Sequence, residues 1–169
     1  IERDDLARGM ALVSDPQLRP ASILDCSLRL LPAAPPLQSG SRVRLLLGTA
    51  EVMAVADLID RAILLPGEQG WVQLRTEQPI SAFSSDRFIL RRESPVQTLG
   101  GGRVLDPWAL RARKKHGERI ADELMALDSG DTSILLSRAG LAGLDRTAAA
   151  ERGIEGGVRL GERMVHPSA

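Results

Sequence analysis

A chain of 169 residues with 22 basic and 22 acidic side chains carries no net charge to draw it towards a polyanion, and its 43% hydrophobic content is that of an ordinary globular protein of one or two domains. Aromatics make up only 2% and tyrosine is missing, so the cores must be built from Leu, Val, Ile and Ala, and recognition of bases by aromatic stacking is disfavoured. The lone Cys26 excludes a disulfide or cysteine metal site within the chain, and no apolar run approaches the roughly 18 residues of a membrane span. A cytoplasmic setting without membrane contact is expected.

The chain opens at Ile1 without a methionine and reads as a piece of a longer protein. Residues 1–19 pattern as the terminal strands of a preceding β domain, with a turn at Arg8-Gly9 and a short strand over Met10–Val13. Residues 20–106 read as all-β. Ile23–Leu31 alternates, with Leu24, Cys26, Leu28 and Leu30 on one face. A Pro-rich turn leads to a strand over Arg42–Leu47, with Arg42 and Arg44 at i, i+2 on one face. After Gly48-Thr49 come strands at Glu51–Ile59 and Ala62–Leu65, then Trp71–Glu77, Pro79–Phe83 and a strand from Arg87 to Arg92. Short strands at regular spacing, separated by Gly and Pro turns, predict a sandwich or barrel of about six strands.

The glycine run Gly100-Gly101-Gly102 is expected as a surface loop with arginines on both sides. A nucleotide-binding loop needs strand, glycines and then helix, and here a strand follows while no Gly-Lys-Ser/Thr is present. Two readings stay open: a tight strand connection, or a loop whose exposed amides, with Gln97 and Thr98, approach a phosphate backbone.

Residues 107–169 change period. A helix is expected from Pro107 onward, with Leu110, Ile120, Leu124 and Leu127 on one face and an interruption at Gly117. A second helix is expected over Ser133–Arg138, capped by Asp131 or Thr132, and a third over Thr147–Glu151, capped by Asp145. Val158–Leu160 and Arg163–His166 form a hairpin around Gly161-Glu162. Three helices and a two-stranded wing make a small α+β winged-helix layout. The run Arg111 to His116, with Arg113, Lys114 and Lys115, is either a solvated helix face or a contact for nucleic-acid backbone. His116 and His166 have no neighbours that would make a catalytic triad, so no catalytic residue, and no metal site, is expected.

The segments RPASILDCSLRLLPAAPPL, RVRLLLGTAEVMA and LLPGEQGWVQLRTEQPISAFSSDRFILRRESPVQTLGGGRVLDP, in that order, resemble the third domain of the bacterial selenocysteine-specific elongation factor. The resemblance implies a translation-factor β-barrel over 20–106, the end of that factor's second domain before it, and the first of its winged-helix domains over 107–169. It further implies a role in delivering selenocysteinyl-tRNA to the ribosome at UGA codons. On this resemblance the barrel grips the tRNA acceptor and T arms through Arg42, Arg44, Gln97, Thr98, Gly100 and Gly101. Arg91, Arg92 and Arg103 are secondary candidates, and Arg113, Lys114 and Lys115 of the basic run are further candidates for RNA contact. The family's GTP and Mg site and its mRNA-hairpin-binding domains lie in regions this chain lacks, so no cofactor and no enzymatic activity are expected of it, and it is expected to be a monomer. The rival expectation is a DNA-binding winged-helix regulator that reads duplex DNA through residues 145–152.

Overall fold

The computed structural model describes residues 8–11, 19–112, 116–154 and 156–168. The chain divides into two compact units, 1–124 and 125–169, the division falling inside a helix.

The first unit is a closed, all-antiparallel six-stranded barrel. Its strands are β1 (Ala21–Leu30), β3 (Ser41–Leu47), β4 (Ala50–Leu58), β6 (Gln69–Ile80), β7 (Arg87–Arg92) and β8 (Gln97–Asp106). They follow the order β1-β6-β4-β3-β7-β8, and β8 pairs back onto β1 to close the ring. Closure leaves no free sheet edge. Two short strands outside it, β2 (Leu37–Gln38) and β5 (Ile63–Leu64), pair with each other. Alternation explains the core: Leu24, Cys26 and Leu28 of β1, Val43 and Leu45 of β3, Leu74 of β6 and Leu90 of β7 all point inward and are almost fully buried.

Cys26 belongs to this core. Burial pushes its thiol well above its ordinary range, with the nearby charges of Asp25 and Asp106 adding to the effect. A thiolate is the reactive form. The native chain is therefore expected to resist a thiol-specific maleimide at pH 7.5 and to be labelled fully in 6 M guanidinium; rapid labelling without denaturant would contradict this placement.

The sequence expectations fail at three places in this unit. Trp71–Glu77 and Pro79–Phe83 are not two strands: β6 runs from Gln69 to Ile80, and its register against β1 jumps between Ile23↔Arg75 and Ala21↔Ile80. The irregularity takes up Pro79, which cannot donate to a regular ladder. The glycine run is not a loop. Gly100, Gly101 and Gly102 lie inside β8, opposite Leu30, Arg29 and Leu28 of β1 and opposite Leu90, Ile89 and Phe88 of β7. A β-carbon on Gly102 would overlap the carbonyl oxygen of Ser27 and come within 2.7 Å of its carbonyl carbon, and one on Gly100 would overlap the carbonyl oxygen of Arg29. Only glycine lets β8 approach β1 this closely.

The third correction concerns residues 107–112, which are not helical; α1 begins at Gly117 and ends at Asp128. The reason is a competing set of hydrogen bonds. The Gln73 side-chain oxygen accepts from the Ala112 N–H at 2.9 Å, and its amide nitrogen donates to the Leu110 carbonyl at 3.0 Å and to Asp25 Oδ1 at 2.7 Å. Asp106 Oδ1 accepts from the Trp108 N–H, and the Trp108 indole donates to the Arg19 carbonyl. These bonds tie the segment along the outside of β1 and β6, which is why Asp25 and Gln73 are buried although they sit on the outer face. Arg8 donates to the Thr49 carbonyl at the β3–β4 turn. The strand expected over Met10–Val13 falls largely outside the described residues, and Met10 and Ala11 are not in a strand.

The second unit is a small α+β assembly. It holds the end of α1, then α2 (Ser133–Ala139), a 3-10 turn at Gly140–Ala142, α3 (Arg146–Glu151) and a three-stranded sheet. The sheet order is β10 (Val158–Leu160), β11 (Arg163–Val165), β9 (Leu144–Asp145). The expected hairpin is present, whereas β9 was not anticipated. Asp145 Oδ1 caps α3 by accepting from the Ala148 N–H, as expected; at α2 the N-cap residue is Thr132, whose side chain makes no capping bond, and the neighbouring Asp131 accepts from the Ser133 N–H. Leu135 and Leu136 of α2, Ala149 of α3, Ile154 and Val165 are buried.

Candidate nucleic-acid interface

The alternation that sends leucines into the barrel sends arginines out. On β3, Val43, Leu45 and Leu47 are buried while Arg42 is exposed and Arg44 half-buried; on β7, Phe88 and Leu90 are buried while Arg87 is exposed and Arg91 half-buried. Strand pairing then assembles these residues across the sheet. Arg44 stands opposite Arg91, and Arg91 opposite Thr98 of β8. One pleat further along, Leu46, Ile89, Gly101 and Arg29 form the next row. Beyond it, Arg87 stands opposite Arg103, and Arg103 opposite Ser27. The outer face of β3, β7, β8 and β1 thus carries Arg44, Arg91, Arg87, Arg103 and Arg29 in one contiguous field.

The predicted residues differ in what already holds them. Arg42 pairs with Glu77 at 2.7 Å, and both side chains are more than half exposed. Arg44 bonds Glu51 and lies 3.8 Å from Glu93. The Arg44 hydrogen bond, with the added charges of Arg44, Arg8 and Arg91 and against a desolvation effect, holds the Glu51 carboxyl below the usual carboxylate range. Exposed pairs of this kind contribute little to stability, because solvent and salt screen them. Arg91 Nε is buried with no hydrogen-bond partner. Arg92 is exposed opposite Gln97, whose amide nitrogen donates to the Ala33 carbonyl at 3.2 Å, and Thr98 is exposed.

Gly100 and Gly101 stand apart from the rest. With β1 on one side and β7 on the other, their main chain is engaged in two ladders, so they offer no amide cradle to an anion. For the same reason the run is no nucleotide loop: it lies mid-strand, and Asp106-Pro107 rather than a helix follows. Arg113, Lys114 and Lys115 lie outside the described residues. Sequence reasoning passed over Arg29 and Arg87, and the only local signal for them was their outward phase on β1 and β7.

Among the described residues no cluster of three or more His, Cys, Asp or Glu could hold a metal ion, and no helix is long and apolar enough to cross a membrane. In the second unit α3 presents Arg146 beside Thr147 and three alanines, a sparse set for reading base edges, which takes several polar side chains in the groove.

Residues 25–111 match the family model described as "Selenocysteine-specific elongation factor, beta-barrel domain", a span that takes in the barrel and the tied segment after it. The chain is also 30% identical, over 152 residues, to the selenocysteine-specific elongation factor of Desulfomicrobium baculatum. That alignment covers 89% of this chain and 24% of the relative, so the chain spans about a quarter of its length. With a six-stranded closed barrel, a small α+β unit behind it and a family match over about half its length, this chain belongs to the selenocysteine-specific elongation factor family.

Proposed function

We propose that the chain serves the delivery of selenocysteinyl-tRNA to the ribosome at UGA codons, its barrel holding the acceptor and T arms of the tRNA. The observation that carries this reading is the arginine field on β3, β7, β8 and β1, set on a barrel of this family. Arginine's planar fork suits phosphate oxygens, and the field joins side chains from four strands on one rigid surface. Arg44, Arg91 and Arg103 of this field are proposed contacts, with Arg42, Arg92 and Thr98 beside it and Gln97 at the rim.

The second unit, with its helix–helix–strand–helix–hairpin order, is proposed to be of winged-helix type and to link the barrel towards the mRNA-hairpin-binding end of the factor. GTP and magnesium are assigned to the factor's GTPase domain, since no residues described here fit a phosphate loop. The setting is the cytoplasm, and the working form is a monomer.

Fluorescence anisotropy of a labelled selenocysteine tRNA tests the reading. Charge reversal with R42E/R44E is expected to weaken binding about 10- to 100-fold, the range for losing one or two charge-assisted bonds, and to flatten its salt dependence. Unchanged affinity would remove those two residues from the interface.

A further inference from the structure

We infer that Glu51 restrains RNA binding: its carboxylate holds Arg44 towards β4, and a backbone phosphate must take Arg44 from it to be clamped by Arg44 and Arg91 together. This rests on the tRNA-binding reading above and names the residue that sets its strength. The arrangement follows from register. On the outer face Arg44 of β3 stands directly opposite Arg91 of β7 on one side and Met53 of β4 on the other. Glu51, two residues from Met53, is therefore a diagonal neighbour of Arg44. Diagonal partners across an antiparallel pair lie about 7–8 Å apart, a gap that long side chains span. Arg44 Nη1 accordingly donates to Glu51 Oε1 at 2.5 Å.

The acids around this pair are shared unevenly. Glu51 Oε2 lies 3.9 Å from Arg8 Nη2, and Glu93 lies 3.8 Å from Arg44 Nη2. Arg91 has no such partner: no carboxylate of the described residues is within ion-pair distance of it, and its Nε is buried without a hydrogen-bond acceptor. Three guanidinium groups, of Arg8, Arg44 and Arg91, thus stand against two carboxylates, of Glu51 and Glu93, which leaves one positive charge uncompensated. Like charges directly opposite each other destabilise a sheet, and a buried donor with no acceptor is costly. Glu51 relieves the Arg44 half of that cost in the free protein and leaves the Arg91 half standing.

A phosphodiester answers both halves. Its two free oxygens match a guanidinium fork as a carboxylate does. Seated over Arg44 and Arg91, it gives Arg91 the acceptor it lacks and offsets the like charges of the opposed pair. Thr98, exposed on the other side of Arg91, adds a hydroxyl donor in the same row. Glu51 opposes this seat in two ways, by holding Arg44 and by repelling the phosphate. The Arg44 hydrogen bond keeps the Glu51 carboxyl below its ordinary range, so the repelling charge is present at neutral pH. Solvent reaches both partners, with the Arg44 side chain 38% and the Glu51 side chain 34% exposed, so the bond is screened and a polyanion can compete for it.

The experiment uses the whole chain and a labelled RNA minihelix of the acceptor and T arms, titrated across a series of KCl concentrations. Glu51→Gln keeps the side-chain shape and removes its charge. It is expected to bind the minihelix about 3- to 10-fold more tightly, as for freeing one exposed pair and lifting one repulsion. The salt slope should steepen by about 0.9, the share of one more neutralised phosphate on a duplex. Glu162→Gln removes the same charge from an exposed hairpin turn and should match the wild type. R44Q/E51Q should gain less over R44Q than E51Q gains over the wild type, because part of the gain passes through Arg44. Glu51→Ala should shift affinity in the same direction as Glu51→Gln, and circular dichroism melts of both should stay close to that of the wild type, since exposed pairs add little stability. Wild-type binding that E51Q leaves unchanged or weakens overturns the restraint and spares the tRNA reading. An equal gain in E162Q, or an undiminished gain in the R44Q background, does the same. No binding of the minihelix by either the wild type or E51Q overturns both.

Discussion

Replacing Gly102 by alanine should cost the barrel about 4 kcal/mol or more, a size reserved for a few named kinds of damage. The added β-carbon would overlap the Ser27 carbonyl oxygen, with the Ser27 carbon 2.7 Å and the Leu28 Cα 3.1 Å away. All three are main-chain atoms of a strand that is paired on both sides, so no side-chain rotation makes room. On a barrel of this size, 1 kcal/mol moves the melting temperature by about 4–8 °C, so a fall of about 15 °C or more is expected. Gly67→Ala is the comparison. Gly67 has φ of 80° with nothing within 4 Å of its would-be β-carbon, so only the backbone preference is lost, about 1 kcal/mol. Circular dichroism melts of the two variants separate the effects. Equal shifts would mean that β1 and β8 are not this close.

The second large effect is expected at Gln73. Gln73→Leu keeps the volume but removes three hydrogen bonds: one to Asp25, one to Leu110 and one to Ala112. The Asp25 carboxylate then loses a donor in a site only 2% exposed. An unmade bond to a buried polar group costs about 1–3 kcal/mol each, and here two backbone groups regain water if the segment lifts, so a total of about 2–4 kcal/mol is expected. Urea denaturation measures the total. Hydrogen exchange measures the local part: the Ala112 amide should exchange far faster in the variant while amides within β3 and β4 change little. A slow Ala112 amide in Gln73→Leu would show that something other than this side chain holds the segment.

Gln73 also explains why the sequence misled at residues 107–112. Leu110 has the spacing of a helix face with Ile120, Leu124 and Leu127, yet it is 84% exposed, while Ile120, Leu124 and Leu127 are buried. Local periodicity cannot register that a glutamine 37 residues earlier takes the Leu110 carbonyl. The glycines misled for a related reason. A turn and a close approach of two strands ask the same thing of the chain, the lack of a β-carbon, and only the pairing of β8 with β1 tells them apart. By contrast, β1, β3, β4 and β7 were legible because each carries its own period of two, and Asp145 was legible as a cap because capping is local. The interface divides in the same way. Arg42 and Arg44 share a face by simple alternation, but Glu77, which occupies Arg42, is 35 residues away. Arg29 of β1 and Arg103 of β8 become diagonal neighbours only because the ring closes.

That closure has a consequence for the order in which the protein is made. The two ends of the ring are joined by β8, the last barrel strand in the chain, and Arg29 meets Gly101 across 72 positions. While the chain emerges from the ribosome, β1 and β7 must wait as open edges until residues 97–106 arrive. Exposed edges invite pairing with other chains, and charge on an edge strand is the common protection against it. The outward arginines of β1 and β7 fall on those two waiting strands. During synthesis they would guard against premature association, before the finished barrel carries the same side chains on its closed outer face.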